Sequence, residues 1–117
     1  MILDTKDLQE AIMQTDRMLE DSNPVSATIG AVIVAAANVA REDGITHFFG
    51  GLGSEEVFAG YKRHRTAADL EHECWRGFEK MYDRDLVRDC MIAGQLGIIV
   101  HTPFLDEKCI ILALRLS

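Results

Sequence analysis

The stretch ITHFFGGLGSEEVFAGYKRH, Ile45 to His64, changes character twice. Ile45 to Phe49 is a short apolar run of β-branched and aromatic residues and reads as a buried strand. Gly50, Gly51, Leu52, Gly53 and Ser54 then open a loop, and a helix is expected from Ser54, with Glu55, Glu56 and Phe58 in its first turns and Gly60 weakening it. A strand, a glycine loop and a helix in that order bring backbone N–H groups and the positive end of a helix dipole to one spot, which favours an anion. The glycines let the backbone approach a phosphate closely, and Ser54 is placed to cap the helix or to offer its hydroxyl to a ligand. The pattern is neither GxGxxG nor a Walker A loop.

Glu55 and Glu56 would repel a bare phosphate. They are compatible with one bridged by a divalent cation, because Mg²⁺ takes one or two carboxylates together with phosphate oxygens. The alternative is that the two acids only offset the helix dipole, an effect of roughly 0.3–1 kcal/mol each.

Upstream, Leu8, Ile12, Met13 and Leu19 fall at helical spacing between Asp4 and Asp21. Ser22, Asn23 and Pro24 interrupt the pattern, and Asn23 as N-cap with Pro24 in the first turn starts a second helix that runs to about Asp43, where Gly44 stops it. The uncharged stretch from Val25 to Ala40 is short and weak for a membrane span and reads as a buried helix, apolar on most faces. Downstream of the basic run Lys62, Arg63, His64 and Arg65, a helical pattern extends from Ala67 to about Leu96. Leu70, Cys74, Phe78, Met81, Leu86, Cys90 and Ala93 share one face of it, with a break near Asp83 and an end at Gly94 and Gly97. Ile98 to Val100 is a second apolar run, and Leu105 to Leu116 reads as a closing amphipathic helix. The fold class expected is α/β, strongly α-rich, with one or two short strands and about five helices, in a single domain over residues 1–117.

The 117 residues, 48% of them hydrophobic, suffice for one core. Twelve Lys and Arg against nineteen Asp and Glu give a net charge of −7, which argues against broad binding to nucleic acid or to anionic membranes. Three cysteines, Cys74, Cys90 and Cys109, stand far apart without a CxxC pair, and the N-terminus lacks the regions of a signal peptide, so a reducing, cytoplasmic location is expected. Cys74 and Cys90 read as small core residues. His72, between Glu71 and Glu73, has no second ligand at helical spacing for a metal.

FFGGLGSEEVFAGYKRH, Phe48 to His64, resembles the second nucleotide-site loop of the asparagine synthetase family, whose usual form is SGEGSDELFGGY. RDLVRDCMIAGQLGIIVHTPFLDEK, Arg84 to Lys108, is similar to the downstream element in which a helix containing RD leads into GxExRxPFLD. The two blocks, in the family's order, span about half the chain from Phe48 to Lys108. The family belongs to the ATP pyrophosphatases, so the resemblance implies the second half of an adenylation domain that activates a carboxylate as an acyl-adenylate for attack by an amine. It implies ATP or pyrophosphate with Mg²⁺ as ligands. By position, Gly50, Gly51, Leu52, Gly53 and Ser54 match the phosphate-side loop, Glu55 a metal-binding Asp, and Asp106 a residue of loop architecture. Tyr61 matches the tyrosine that closes the motif and borders the acyl group, where it is the candidate catalytic residue that would orient or deprotonate the amine, the alternative being a tyrosine that only packs.

The departures are specific. Leu52 stands where asparagine synthetases have a glutamate that contacts the aspartyl substrate, and Ile99 and His101 replace the Glu and Arg of GxExRxPF. The family's first loop, SGGxDS, occurs nowhere in these residues, nor does the glutaminase domain with its cysteine at position two, where Ile2 stands. A triphosphate site built from two loops loses most of its charge-matched donors when one is missing. The chain alone is therefore expected to be a poor adenylating enzyme, either half of a split synthetase whose partner chain carries SGGxDS or a remnant kept for binding. An uncovered apolar face makes a homo- or hetero-oligomer the expected state. The alternative is a non-catalytic helical interaction or oligomerisation module in which the loop only connects strand to helix.

Overall fold

The computed structural model describes residues 4–19 and 23–115. Among them are helices α1 (Thr5–Leu19), α2 (Pro24–Glu42), α3 (Ser54–Val57), α4 (Leu70–Met81), α5 (Val87–Leu96) and α6 (Glu107–Leu114), and strands β1 (His47–Phe49) and β2 (Ile99–His101). The architecture is thus an α-rich α/β one. β1 and β2 pair in parallel, and the ladder is flanked by Ile99 N–H donating to Thr46 O (2.8 Å) and Gly50 N–H donating to His101 O (2.8 Å). The segment 20–22 and Leu116, where the sequence places the end of the first helix and of the last, lie outside the described residues.

The chain divides into two compact units, Met1–Phe48 with Arg84–Val100 and Phe49–Asp83 with His101–Ser117. In the first, α1, α2 and α5 pack on one another around Ala11, Met18, Leu19, Ala31, Val34, Ile92, Leu96 and Ile98. The helices approach closely because small residues face inward. Gly30 of α2 looks onto Thr15 and Ile92, and buried Thr15 satisfies its hydroxyl on Ala11 O (2.7 Å). Gln95 Nε2 donates to Met18 O (2.7 Å), satisfying a carbonyl in the last turn of α1. The Asn23 cap is present, its Oδ1 accepting from Val25 N–H at 3.0 Å, and Gly44, at φ 72°, follows the C-cap Asp43.

Several expectations need correction. β1 is not a buried strand: Phe48 packs against the core, but Phe49 is 80% exposed, because the two-stranded sheet turns alternate side chains to opposite faces and only one is covered. α2 is apolar on most faces but buries one, leaving Val25, Ile29 and Val32 exposed. The break near Asp83 is a π-helical turn, Tyr82–Leu86, after which the helical phase is shifted. Asp85, Arg88, Ile92, Ala93 and Leu96 are therefore the buried residues there, while Cys90 is exposed and Cys74 only half-buried. Gly94 lies inside α5 and Gly97, left-handed at φ 65°, ends it. The closing helix begins at Glu107, after a 3-10 turn at Pro103–Leu105, rather than at Leu105.

Candidate functional site: the glycine loop and its surroundings

The loop and everything packed on it belong to the second unit. β1 ends at Phe49, and Gly50 still donates to the β2 carbonyl at His101, so the loop leaves the sheet in a fixed direction. Ser54 N–H donates to Gly51 O (3.1 Å), closing a turn. Gly53 is left-handed at φ 92°, and a side chain there would run into Leu105. Both constraints demand glycine at that position. Leu105 belongs to PFLD and Gly53 to GGLGS, so the two blocks singled out in the sequence meet here. Phe58 and Phe104 meet as well, ring edge to face at 6.1 Å. Asp106 caps α6 through its Oδ1, which accepts from Lys108 N–H at 3.0 Å, and this is the architectural role expected of it.

Two of the five loop amides, Gly50 and Ser54, are engaged by the protein. Among the described residues no acceptor faces the N–H groups of Gly51, Leu52 or Gly53. Gly51 has open space where a side chain would stand. Ser54 is not the cap: Gly53 holds that position without a side chain, and the Ser54 hydroxyl donates to Glu55 Oε2 at 2.8 Å. α3 is a single turn, too short to sum much of a dipole, so any anion here would rely on loop amides rather than on a helix end.

The two adjacent glutamates part company. Glu55 is half-buried and lies against Gly60, whose absent side chain would stand 3.2 Å from Glu55 Cγ. The backbone just before Tyr61 is thereby brought to Glu55. Glu56 is 2% exposed and pairs with Arg63 (Nη2 to Oε1, 3.8 Å), so it is no surface partner for a dipole. Arg63 Nε also meets Glu73 Oε1 at 3.1 Å, and Arg76 Nη2 meets Glu73 Oε2 at 2.7 Å. The hydrogen bond from Arg76 holds the Glu73 carboxyl below its ordinary range. Burial, with the charge of Glu56 second, pushes the Cys74 thiol up. Tyr61 is half-buried, with the Arg63 guanidinium 3.9 Å above its ring centroid and the His64 ring at 5.4 Å.

The basic run does not act as one unit: His64 is buried, Arg63 stays partly exposed while its guanidinium reaches buried Glu56, and Lys62 and Arg65 are exposed. Sequence reasoning missed Glu56, Arg63 and Glu73 as a set because a helix end and a 3-10 turn (Lys62–Thr66) separate them, so no single period relates them. No group of three or more His, Cys, Asp or Glu among the described residues is arranged to hold a metal ion.

The asparagine synthase family model matches residues 1–73, more than half of the chain. The chain belongs to the asparagine synthase family. Its relatives include a glutamine-hydrolyzing asparagine synthetase homologue of Methanocaldococcus jannaschii, 28% identical over 98% of this chain and 22% of that protein. An asparagine synthetase domain-containing protein of Saccharomyces cerevisiae is 38% identical over 53% of this chain and 12% of its own length. A glutamine-hydrolyzing asparagine synthetase homologue of Dictyostelium discoideum is 29% identical over 63% and 14%. This asparagine synthase family chain thus spans about a fifth or less of the relatives it matches. The family match ends before the PFLD block, which the alignment to the M. jannaschii protein takes in along with nearly all of the chain. No solved structure matches.

Proposed function

We propose that the chain supplies the pyrophosphate-side loop of an ATP-dependent, amide-forming adenylation site that a partner segment carrying SGGxDS completes. The observation that carries this reading is the glycine loop of a family member in which the Gly51, Leu52 and Gly53 amides are not committed to acceptors among the described residues. A phosphate oxygen is the kind of acceptor such a nest of N–H groups accommodates. Glu55 is the one half-buried carboxylate beside the loop, and the Ser54 hydroxyl steadies one of its oxygens. A single carboxylate suits Mg²⁺ shared with phosphate and water, and does not suit a dedicated ion cage. The bound ion would offset phosphate charge. Glu55 would contribute one ligand to it, the loop amides would orient the phosphate, and Tyr61 would border the acyl group. Leu52, apolar where relatives of the usual pattern have a glutamate, favours an acid other than aspartate.

Calorimetry with pyrophosphate or ATP plus Mg²⁺ tests the loop: binding is expected, and it weakens on Glu55→Ala. If the intact chain takes up neither ligand, the reading fails. Mixing with an SGGxDS-bearing chain should then produce pyrophosphate release that neither chain gives alone. A second reading, an interaction or oligomerisation module, is favoured by the exposed Val25, Ile29 and Val32, one stripe of α2 at helical spacing. Binding of no phosphate ligand, together with concentration-dependent self-association lost on Val32→Lys, would select it.

A further inference from the structure

Arg63 belongs to the basic run that follows the glycine loop, yet its guanidinium is engaged by acids of its own unit. Its Nη2 faces buried Glu56, its Nε faces Glu73, and its planar face covers the Tyr61 ring at 3.9 Å. Arg76 joins the same Glu73 carboxylate, so two guanidiniums are balanced by two acids and little positive potential remains for an anion. We propose that Arg63 is a positioning residue that couples the rotation of α3, through Glu56, to the orientation of the Tyr61 ring.

The coupling follows from how each part is held. Glu56 is buried against Gly77, whose missing side chain would otherwise stand 2.7 Å from Glu56 Cγ, so the space that Glu56 occupies depends on that glycine. Glu55 and Ser54 precede it in the same single turn, so fixing Glu56 fixes the turn that ends the glycine loop. On the other side, Tyr61 N–H donates to His64 Nδ1 at 3.3 Å, and the edge of the His64 ring meets Tyr61. His64 is 4% exposed, which anchors the backbone of Tyr61. The Arg63 guanidinium spans the two, ion-paired to Glu56 (3.8 Å) and Glu73 (3.1 Å) and lying over the Tyr61 ring. Lysine, a point charge without a planar fork, keeps the charge but cannot bridge both acids while stacking flat on the ring. Lys62 and Arg65, exposed and without an ion pair among the described residues, remain for any anionic ligand.

The test is made on the full chain by NMR without ligand. The Arg63 Nε–H resonance is expected to be displaced by the Tyr61 ring current and to return toward an ordinary arginine position in Tyr61→Leu. Glu56→Gln is expected to shift the Tyr61 ring resonances in the native background and to leave them nearly unmoved in an Arg63→Lys background. An Arg63 resonance indifferent to Tyr61→Leu, or a Tyr61 response to Glu56→Gln that survives in Arg63→Lys, overturns the proposal. Arg63→Lys keeps the charge beside buried Glu56 and so avoids the loss of fold that a neutral replacement risks. The proposal rests on the phosphate reading only for its consequence: Arg63→Lys should weaken magnesium pyrophosphate binding several-fold. A native chain that binds no pyrophosphate refutes that reading alone, because the ligand-free spectra still decide the coupling.

Discussion

Glu56 and Gly77 fit against each other with no space for a methyl group between them: a Cβ on Gly77 would lie 2.7 Å from Glu56 Cγ and 3.2 Å from its Oε1. Within α4, alanine in place of glycine gains about 1 kcal/mol of helix propensity. Overpacking a buried site costs about 1–3 kcal/mol, so Gly77→Ala is expected to lose about 1 kcal/mol net. Urea denaturation would register this as a lower midpoint at unchanged slope. A raised midpoint would mean the carboxylate had moved aside at no penalty.

Gly30 and Gly94 should respond to alanine in opposite directions. A Cβ on Gly30 would stand 2.6 Å from Thr15 Cγ2 and 2.7 Å from Ile92 Cδ1, whereas nothing lies within 4 Å of one on Gly94. Both glycines are helical, so both gain propensity, but only Gly30 must push apart two packed helices. Gly30→Ala is expected to destabilise by about 1–2 kcal/mol net of the propensity gain, and Gly94→Ala to stabilise by up to about 1 kcal/mol. Thermal unfolding of the two variants side by side checks the pair.

Ala59 has φ 53°, the one non-glycine residue in the left-handed region among those described. It follows the last turn of α3, where Gly60 N–H reaches back to Glu55 O at 2.8 Å, and glycine is the usual residue at that place. The usual family form has glycine here as well, FGGY against FAGY. A Cβ in that conformation costs about 1–2 kcal/mol, part of which glycine returns as unfolded-state entropy. Ala59→Gly should therefore raise stability by up to about 1 kcal/mol, read as a rise in melting temperature.

Two carboxylates give the stability profile opposing slopes in acid. Burial raises the Asp89 carboxyl above its ordinary 3.8, against the opposing pull of Arg88. The folded state then holds a proton that the unfolded state has released, so stability falls as pH rises from 3.8 through the folded value. Glu73 is held below its ordinary 4.5 by the Arg76 hydrogen bond, so its contribution is present above 4.5 and is lost as pH falls through the folded value. Asp89→Asn should remove the first slope and Glu73→Gln should flatten the second. Urea midpoints measured across acid pH check both, and unchanged profiles would refute both assignments.

Helix starts and stops were legible because single residues cause them: Asn23 and Pro24 open α2, Gly44 follows its end, and Gly97 ends α5. The glycine loop was legible for the same reason, since Gly53 must be left-handed and must leave room for Leu105. The π turn at Tyr82–Leu86 was not, because YDRDL carries no breaker, and the added residue defeats any fixed period that assigns Cys90 to the interior. Nor was the Glu56–Arg63–Glu73 set, whose members come from a helical turn, a 3-10 turn and a longer helix. The sequence treated Glu55 and Glu56 alike as acids of one helical turn, because adjacency in a helix says nothing of which acid turns inward.

The core of the first unit is built from Ala11, Ala27, Gly30, Ala31, Ala35 and Ala37 beside a few larger side chains. Such positions lose about 1 kcal/mol of helix propensity on becoming glycine and have no room to become larger. Mutational drift along the inward side of α2 is consequently confined: any bulkier arrival, even a methyl group at Gly30, wedges the helices apart. Deep mutational scanning should find this helix the most size-intolerant segment of the unit, even though its residues are chemically the plainest.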